Sequence, residues 1–139
     1  MKFGTILALD VGDRRIGVAI ANMQVRIASP LTTLIRSDST EHDVQALIDE
    51  HSAVALVVGL PRGLDGQSTK QTVAVEEFKA GLERALAIPV YWQDEALTSR
   101  HAEAELRNRG KPYSKADIDS LSATYILNDF MGERPGIFL

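Results

Sequence analysis

Cysteine is absent from the 139 residues, so neither a disulfide framework nor a thiolate metal site can form. Long apolar runs are missing too. None approaches the roughly 20 residues that a bilayer-spanning helix needs, and the Met1-Lys2-Phe3-Gly4 start is not followed by a signal-type segment. A cytoplasmic chain with no membrane partner is the expectation. The three histidines, His42, His51 and His101, are scattered over expected helices and lack the spacing of zinc ligands. Basic excess is lacking as well: the formal net charge is −4, without the global signature of a nucleic-acid binder. That sum does not exclude a phosphate-bearing partner, because acids that ligate a metal present an inverted local charge. No repeat and no low-complexity segment interrupts the chain.

What is present is an ordinary globular composition, 45% hydrophobic and 24% charged. The length suits one domain over residues 1–139, and a chain of about 150 residues buries roughly 70% of its unfolded surface without staples. The most informative stretch is Ile6-Leu7-Ala8-Leu9-Asp10-Val11-Gly12-Asp13-Arg14-Arg15-Ile16-Gly17-Val18-Ala19-Ile20. Two apolar runs flank a polar turn, which predicts a hairpin. By the period of two, Ile6, Ala8 and Asp10 share a face. A carboxylate at the end of a buried strand is costly to ionise without a partner, and a bound cation is the first candidate.

Further along, residues 25–35 read as a third extended stretch, with Pro30 marking an edge or a bend. A helix over about 40–51 follows, carrying Val44, Leu47 and Ile48 on one stripe. Ala53 to Val58 is apolar without alternation, as in a strand covered on both faces. A loop rich in Gly and Pro, residues 59–66, leads to a helix capped by Ser68 or Thr69 and ending before Pro89. Val90 to Gln93 predicts another strand, running into Asp94 and Glu95. A charged helix opening at Thr98 or Ser99 closes at Gly110. Ser114 to Asp117 has capping-box form and starts a broadly apolar helix with Ile118, Leu121, Tyr125, Ile126 and Phe130. Residues 131–139 are expected to be a flexible tail.

This order predicts an α/β fold: an antiparallel meander continuing into parallel strands, with helices on both faces. Such sheets place ligands at the carboxyl ends of their strands, where Asp10 and Glu95 lie. Asp119, in the first turns of the last helix, would complete a three-acid cluster. Acids of this kind suit hard cations such as Mg²⁺ or Mn²⁺, and these can support phosphodiester hydrolysis.

Four blocks carry a resemblance. Leu9-Asp10-Val11-Gly12 with Ile16-Gly17-Val18-Ala19, Val58-Gly59-Leu60-Pro61 with Asp65-Gly66, Asp94-Glu95-Ala96-Leu97-Thr98-Ser99, and Ile118-Asp119-Ser120-Leu121-Ser122-Ala123 resemble the signatures of the YqgF/RuvX family. These are ribonuclease H-like proteins related to the RuvC Holliday-junction resolvases. The resemblance spans about residues 5–130. It implies a ribonuclease H-like, five-stranded mixed sheet and metal-dependent nuclease chemistry, with Asp10, Glu95 and Asp119 as the catalytic and metal-binding acids. It selects Glu95 over the adjacent Asp94. The family is described as nucleases for the 5′ end of precursor 16S ribosomal RNA, with junction resolution proposed for some members. Structured RNA or branched DNA is therefore the expected partner, and a junction resolvase would need a symmetric homodimer.

One departure concerns the metal. Resolvase-type relatives carry a second aspartate where this chain has Ala116. Asp117 is the nearest acid, but residues i and i+2 of a helix point about 200° apart. Asp117 suits the capping box, which leaves three acids for the site. Among the cations, Arg14, Arg15 and Arg62 could clamp substrate phosphates or simply be solvated, and Thr98 and Ser99 are caps first and phosphate contacts second. Arg100, Arg107, Arg109, Lys111 and Lys115, interleaved with Glu103 and Glu105, read as a helix surface more than a basic rim. Tyr91 and Trp92 read as strand core more than stacking platforms.

Two other functions compete. An ATP-binding module of the actin/sugar-kinase superfold also opens with a strand ending in Asp-x-Gly, but it duplicates the fold, and this chain has length for one copy and no second such turn. A non-catalytic ribosome-assembly or transcription partner would keep the fold without needing the acids.

Overall fold

The computed structural model describes residues 4–61, 66–95 and 98–137, with the backbone alone for 98–100. Strands β1 (Thr5–Val11), β2 (Arg15–Asn22) and β3 (Ala28–Ile35) form a meander. Helix α1 (Thr40–His51), β4 (Ala53–Pro61), α2 (Lys70–Ala85) and β5 (Val90–Glu95) follow, then α3 (Thr98–Arg109) and α4 (Lys115–Glu133). The five strands form one sheet in the order β3-β2-β1-β4-β5. β1 pairs antiparallel with β2 and parallel with β4, and β5 adds parallel to β4. This is the mixed sheet expected from the order of elements.

Alternation along the strands splits the core into two layers. Leu7, Leu9, Val11, Ile16, Val18, Leu56 and Val58 pack against Val44 and Ile48 of α1 and Val75 and Leu82 of α2. The opposite face carries Ile6, Ala8, Ala19, Ala21, Ala55 and Val57 beneath Ala123, Ile126, Leu127, Phe130 and Met131 of α4. Four of those six strand residues are alanine, and short side chains let a helix backbone sit close to the sheet. Tyr91 packs into the α4 layer and Trp92 into the other, so both serve the core.

Local signals set the helix ends. Thr69 and Ser114 each accept a backbone N–H three residues on, and the N3 side chains of Thr72 and Asp117 answer with reciprocal bonds. Asp117 is therefore committed to the cap. Gly110 closes α3 at φ 72°, a left-handed conformation that glycine adopts without steric cost.

Two boundaries differ from expectation. β3 begins at Ala28 rather than Val25, because a turn closed by Arg26 N–H on the Asn22 carbonyl (2.7 Å) occupies the intervening residues. The chain after Phe130 is not a separate tail through 137: α4 continues to Glu133, Met131 is buried, and Ile137 packs on the α4 layer. Arg26 provides the reason. Its guanidinium donates to the carbonyls of Met131, Arg134 and Ile137, tying the end of α4 and the turn after it to the β2–β3 connection. Among the described residues, no helix is long and apolar enough to cross a membrane.

Candidate active site

Asp10 is the sixth residue of β1 and stands on the α4 face with Ile6 and Ala8. Its cross-strand partner in β2 is Gly17. A Cβ added at Gly17 would lie 1.9 Å from the backbone oxygen of Asp119, so the first turns of α4 rest directly on this glycine. Gly17 is thus the socket that brings Asp119 up to Asp10. An isolated glycine inside a strand is the signal of such close approach, and it was readable between Ile16 and Val18.

Glu95 is the last residue of β5. Tyr91, Gln93 and Glu95 share one face, while Trp92 and Asp94 point to the other. A second glycine makes room for it: a Cβ at Gly59 would meet Ile126 Cδ1 at 2.5 Å and Glu95 Oε2 at 2.6 Å. Asp10, Glu95 and Asp119, separated by up to 109 positions, therefore converge on the α4 side of one sheet end.

The electrostatics follow from this convergence. Burial, and secondarily the charge of Asp119, pushes the Asp10 carboxyl up to about 7. Burial, and secondarily Asp10, pushes Glu95 up to about 8. Glu95 Oε2 is a buried oxygen with no hydrogen-bond partner among the described residues. Burying an acceptor in that state is costly, and a proton or a cation would relieve it. Asp119 has a partner already, for Arg15 Nε donates to its Oδ2 at 2.6 Å. As they stand, no three acidic or imidazole side chains among the described residues are drawn together tightly enough to hold one ion. The donor set itself fits one: all three acids offer oxygen, one oxygen is buried without a partner, and the glycine sockets leave the carboxylates space.

The other expected site residues separate. Arg14 is exposed in the turn after β1, whereas Arg15 is tied to Asp119. Arg62 lies outside the described residues, as do the side chains of Thr98 and Ser99. Arg107 and Arg109 pair with Glu103 and Glu105 one turn away, as a solvated helix surface would. Arg36 was not anticipated. Its guanidinium donates to the Gly12 carbonyl (2.9 Å) and lies over Phe78, 5.0 Å from the ring centre, while its backbone N–H donates to the Arg14 carbonyl. It braces the turn beside Asp10 from β3 and α2.

Known proteins share this arrangement of sequence and fold. A curated relative from Chloroflexus aurantiacus is 46% identical over 134 residues, covering 93% of this chain and 87% of its own. One from Chloroflexus aggregans is 42% identical over 142 residues, covering 99% of this chain and all of its own. Both are provisionally named as pre-16S rRNA nucleases. Among solved structures, T. thermophilus RuvC in complex with a Holliday junction superposes with a TM-score of 0.57 at 16% identity, covering 96% of each chain. The Fowlpox virus resolvase bound to junction DNA does so at 0.53 and 12%, covering 93% of this chain and 97% of its own. At such identities these two speak to the fold, which is that of RuvC and the ribonuclease H-like proteins. The sequence profile of RuvX, described as Holliday junction resolvase, matches residues 4–133, and the chain belongs to this family.

Proposed function

We propose that the protein is a divalent-metal-dependent endonuclease that hydrolyses phosphodiester bonds in structured nucleic acid, processing the 5′ end of precursor 16S ribosomal RNA. It is a hydrolase acting on ester bonds. The single observation that carries the reading is the gathering of Asp10, Glu95 and Asp119 at one strand-end edge, with a buried Glu95 oxygen that has no partner among the described residues. The curated relatives' shared name supports the RNA substrate.

Asp10, Glu95 and Asp119 would hold Mg²⁺ or Mn²⁺. The bound ion would supply Lewis acidity toward a phosphoryl oxygen and a more acidic water. Burial strengthens the pull of Asp10 and Glu95 on any cation, because the low-dielectric surroundings screen charge weakly. The Gly12–Arg15 turn, closed by Gly12 N–H on the Arg15 carbonyl (2.9 Å) and braced by Arg36, presents the exposed Arg14 beside the acids. Arg14 there meets the substrate backbone as a phosphate contact. Arg62, Thr98 and Ser99 are further candidate substrate contacts in the same reading.

A second reading, resolution of four-way DNA junctions in recombination or repair, is favoured by the description of the matching family. One panel separates the two: 5′-extended 16S precursor RNA, RNA hairpins and four-way DNA junctions, each with and without Mg²⁺ or Mn²⁺. Metal-dependent cleavage of the precursor is expected, abolished in Asp10→Asn. Preferential cutting of junctions would favour the second reading. Cleavage no greater than that of Asp10→Asn on every substrate would refute both.

A further inference from the structure

Arg15 opens β2 straight after the turn that follows Asp10, and its Nε donates to Asp119 Oδ2 across 104 residues of sequence. Both side chains are partly open to solvent, at 32% and 20% exposure, so the pair can exchange with incoming groups. Asp119 does not need this bond for its place. The contact of its backbone oxygen with Gly17 fixes that turn of α4, and the Ser114–Asp117 capping box fixes the helix start. The principal effect of Arg15 is therefore on charge. It neutralises one of three neighbouring carboxylates, two of which already resist ionisation.

A divalent cation held by the three acids would sit within a few ångströms of this guanidinium, and like charges at that range repel. Arg15 and the cation thus contend for Asp119. A phosphate of the substrate backbone would be an alternative acceptor of matching geometry, to which the planar guanidinium can donate twice. The bond to Asp119 uses Nε, and among the described residues the two terminal nitrogens have no acceptor. We propose that Arg15 passes from Asp119 to a substrate phosphate, so that cation binding and nucleic-acid binding reinforce each other through this one side chain. The proposal rests on reading the three acids as a cation site. It adds a coupling beyond the one that the ion's own contact with a phosphate would supply.

The test uses the full chain and calorimetric titration with Mn²⁺, alone and in the presence of a hydrolysis-resistant phosphorothioate hairpin RNA. In the wild type, the hairpin should raise Mn²⁺ affinity by roughly fivefold or more, and Mn²⁺ should raise hairpin affinity by the same factor, since coupling is reciprocal. In Arg15→Gln, Mn²⁺ alone should bind more tightly than to the wild type, and the hairpin should raise that affinity by a smaller factor than it does in the wild type. Arg15→Met, which keeps most of the apolar stem, carries the same expectation and serves if the glutamine variant does not fold. Mn²⁺ affinity equal to or weaker than wild type in the folded variant would overturn the exchange, and so would coupling as large as that of the wild type. Absence of Mn²⁺ binding to the wild type would instead overturn the cation-site reading beneath it.

Discussion

The two faces of the sheet are built on opposite plans from the same five strands. Toward α1 and α2 the strands present Leu7, Leu9, Val18, Leu56 and Val58, bulky aliphatics that hold the helices off. Toward α4 they present Ala8, Ala19, Ala21, Ala55, Gly17 and Gly59, ending in Asp10 and Glu95. Bulk on one side supplies stability by area, at about 25 cal/mol per Å² of apolar surface buried. Smallness on the other lets a helix backbone touch the sheet and carry an acid to where two others end. One layer serves the fold, and the other spends packing volume on placement.

The sharpest way to break that division is Gly17→Ala. The new methyl would fall 1.9 Å from backbone, which cannot swing aside, so α4 must lift. We expect a loss of about 3 kcal/mol or more in chemical denaturation, at the upper end of overpacking costs, together with loss of cleavage. The opposite face should behave differently. Leu56→Ala should cost roughly 2–5 kcal/mol of stability through a cavity, yet the remaining folded protein should cut at the wild-type rate. Retained cleavage in the glycine variant, or its loss in the leucine variant, would dissolve the contrast.

Gly59→Ala is the milder counterpart. Its methyl would meet the tips of Ile126 and Glu95 at 2.5 and 2.6 Å, ends of flexible side chains that can shift where backbone cannot. About 1–2 kcal/mol should be lost, while activity falls more than stability because Glu95 is displaced. The acids also give the α4 face its own pH signature. Asp10 and Glu95 hold their protons up to about 7 and 8 in the fold, against ordinary values of 3.8 and 4.5. Between those limits the folded state binds more protons than the unfolded chain, so stability must fall as pH rises from about 4 to about 8. Thermal melts without added metal should show Tm declining over that window, less steeply in Glu95→Gln. The smallest expected effect is Ser114→Ala, which removes one capping-box acceptor and should cost about 1 kcal/mol in chemical denaturation.

Much of this was legible in the sequence because it is local. The hairpin around Gly12, the helix over 40–51 and the Ser114 cap all follow from spacing within a few residues, and the order of elements implied the mixed sheet. The family blocks extended the reading to Asp10, Glu95 and Asp119. What escaped was parity and partnership. Asp94 and Glu95 are equivalent by position alone; strand β5 separates them by sending Tyr91 and Glu95 to one layer and Trp92 to the other. Arg15 could be placed in the turn, but its partner lies 104 residues away. The helical continuation past Met131 depends on Arg26, 105 residues from the carbonyl it holds. Gly17 was visible as a residue, though not as the seat of a helix, because only the packed structure shows what a methyl there would strike.

The adjacent pair at the end of β5 gives the most direct test, since Asp94 and Glu95 differ in little except the face they serve. Mn²⁺ titration of Glu95→Gln and Asp94→Asn, followed by calorimetry at one pH near 8, compares the two faces one residue apart. The glutamine variant should bind at least roughly tenfold more weakly than the wild type, as expected for loss of a ligand or close support, while the Asp94 variant should match the wild type. Equal weakening in both variants, or undiminished binding in Glu95→Gln, would contradict the assignment of the α4 face as the cation-binding side.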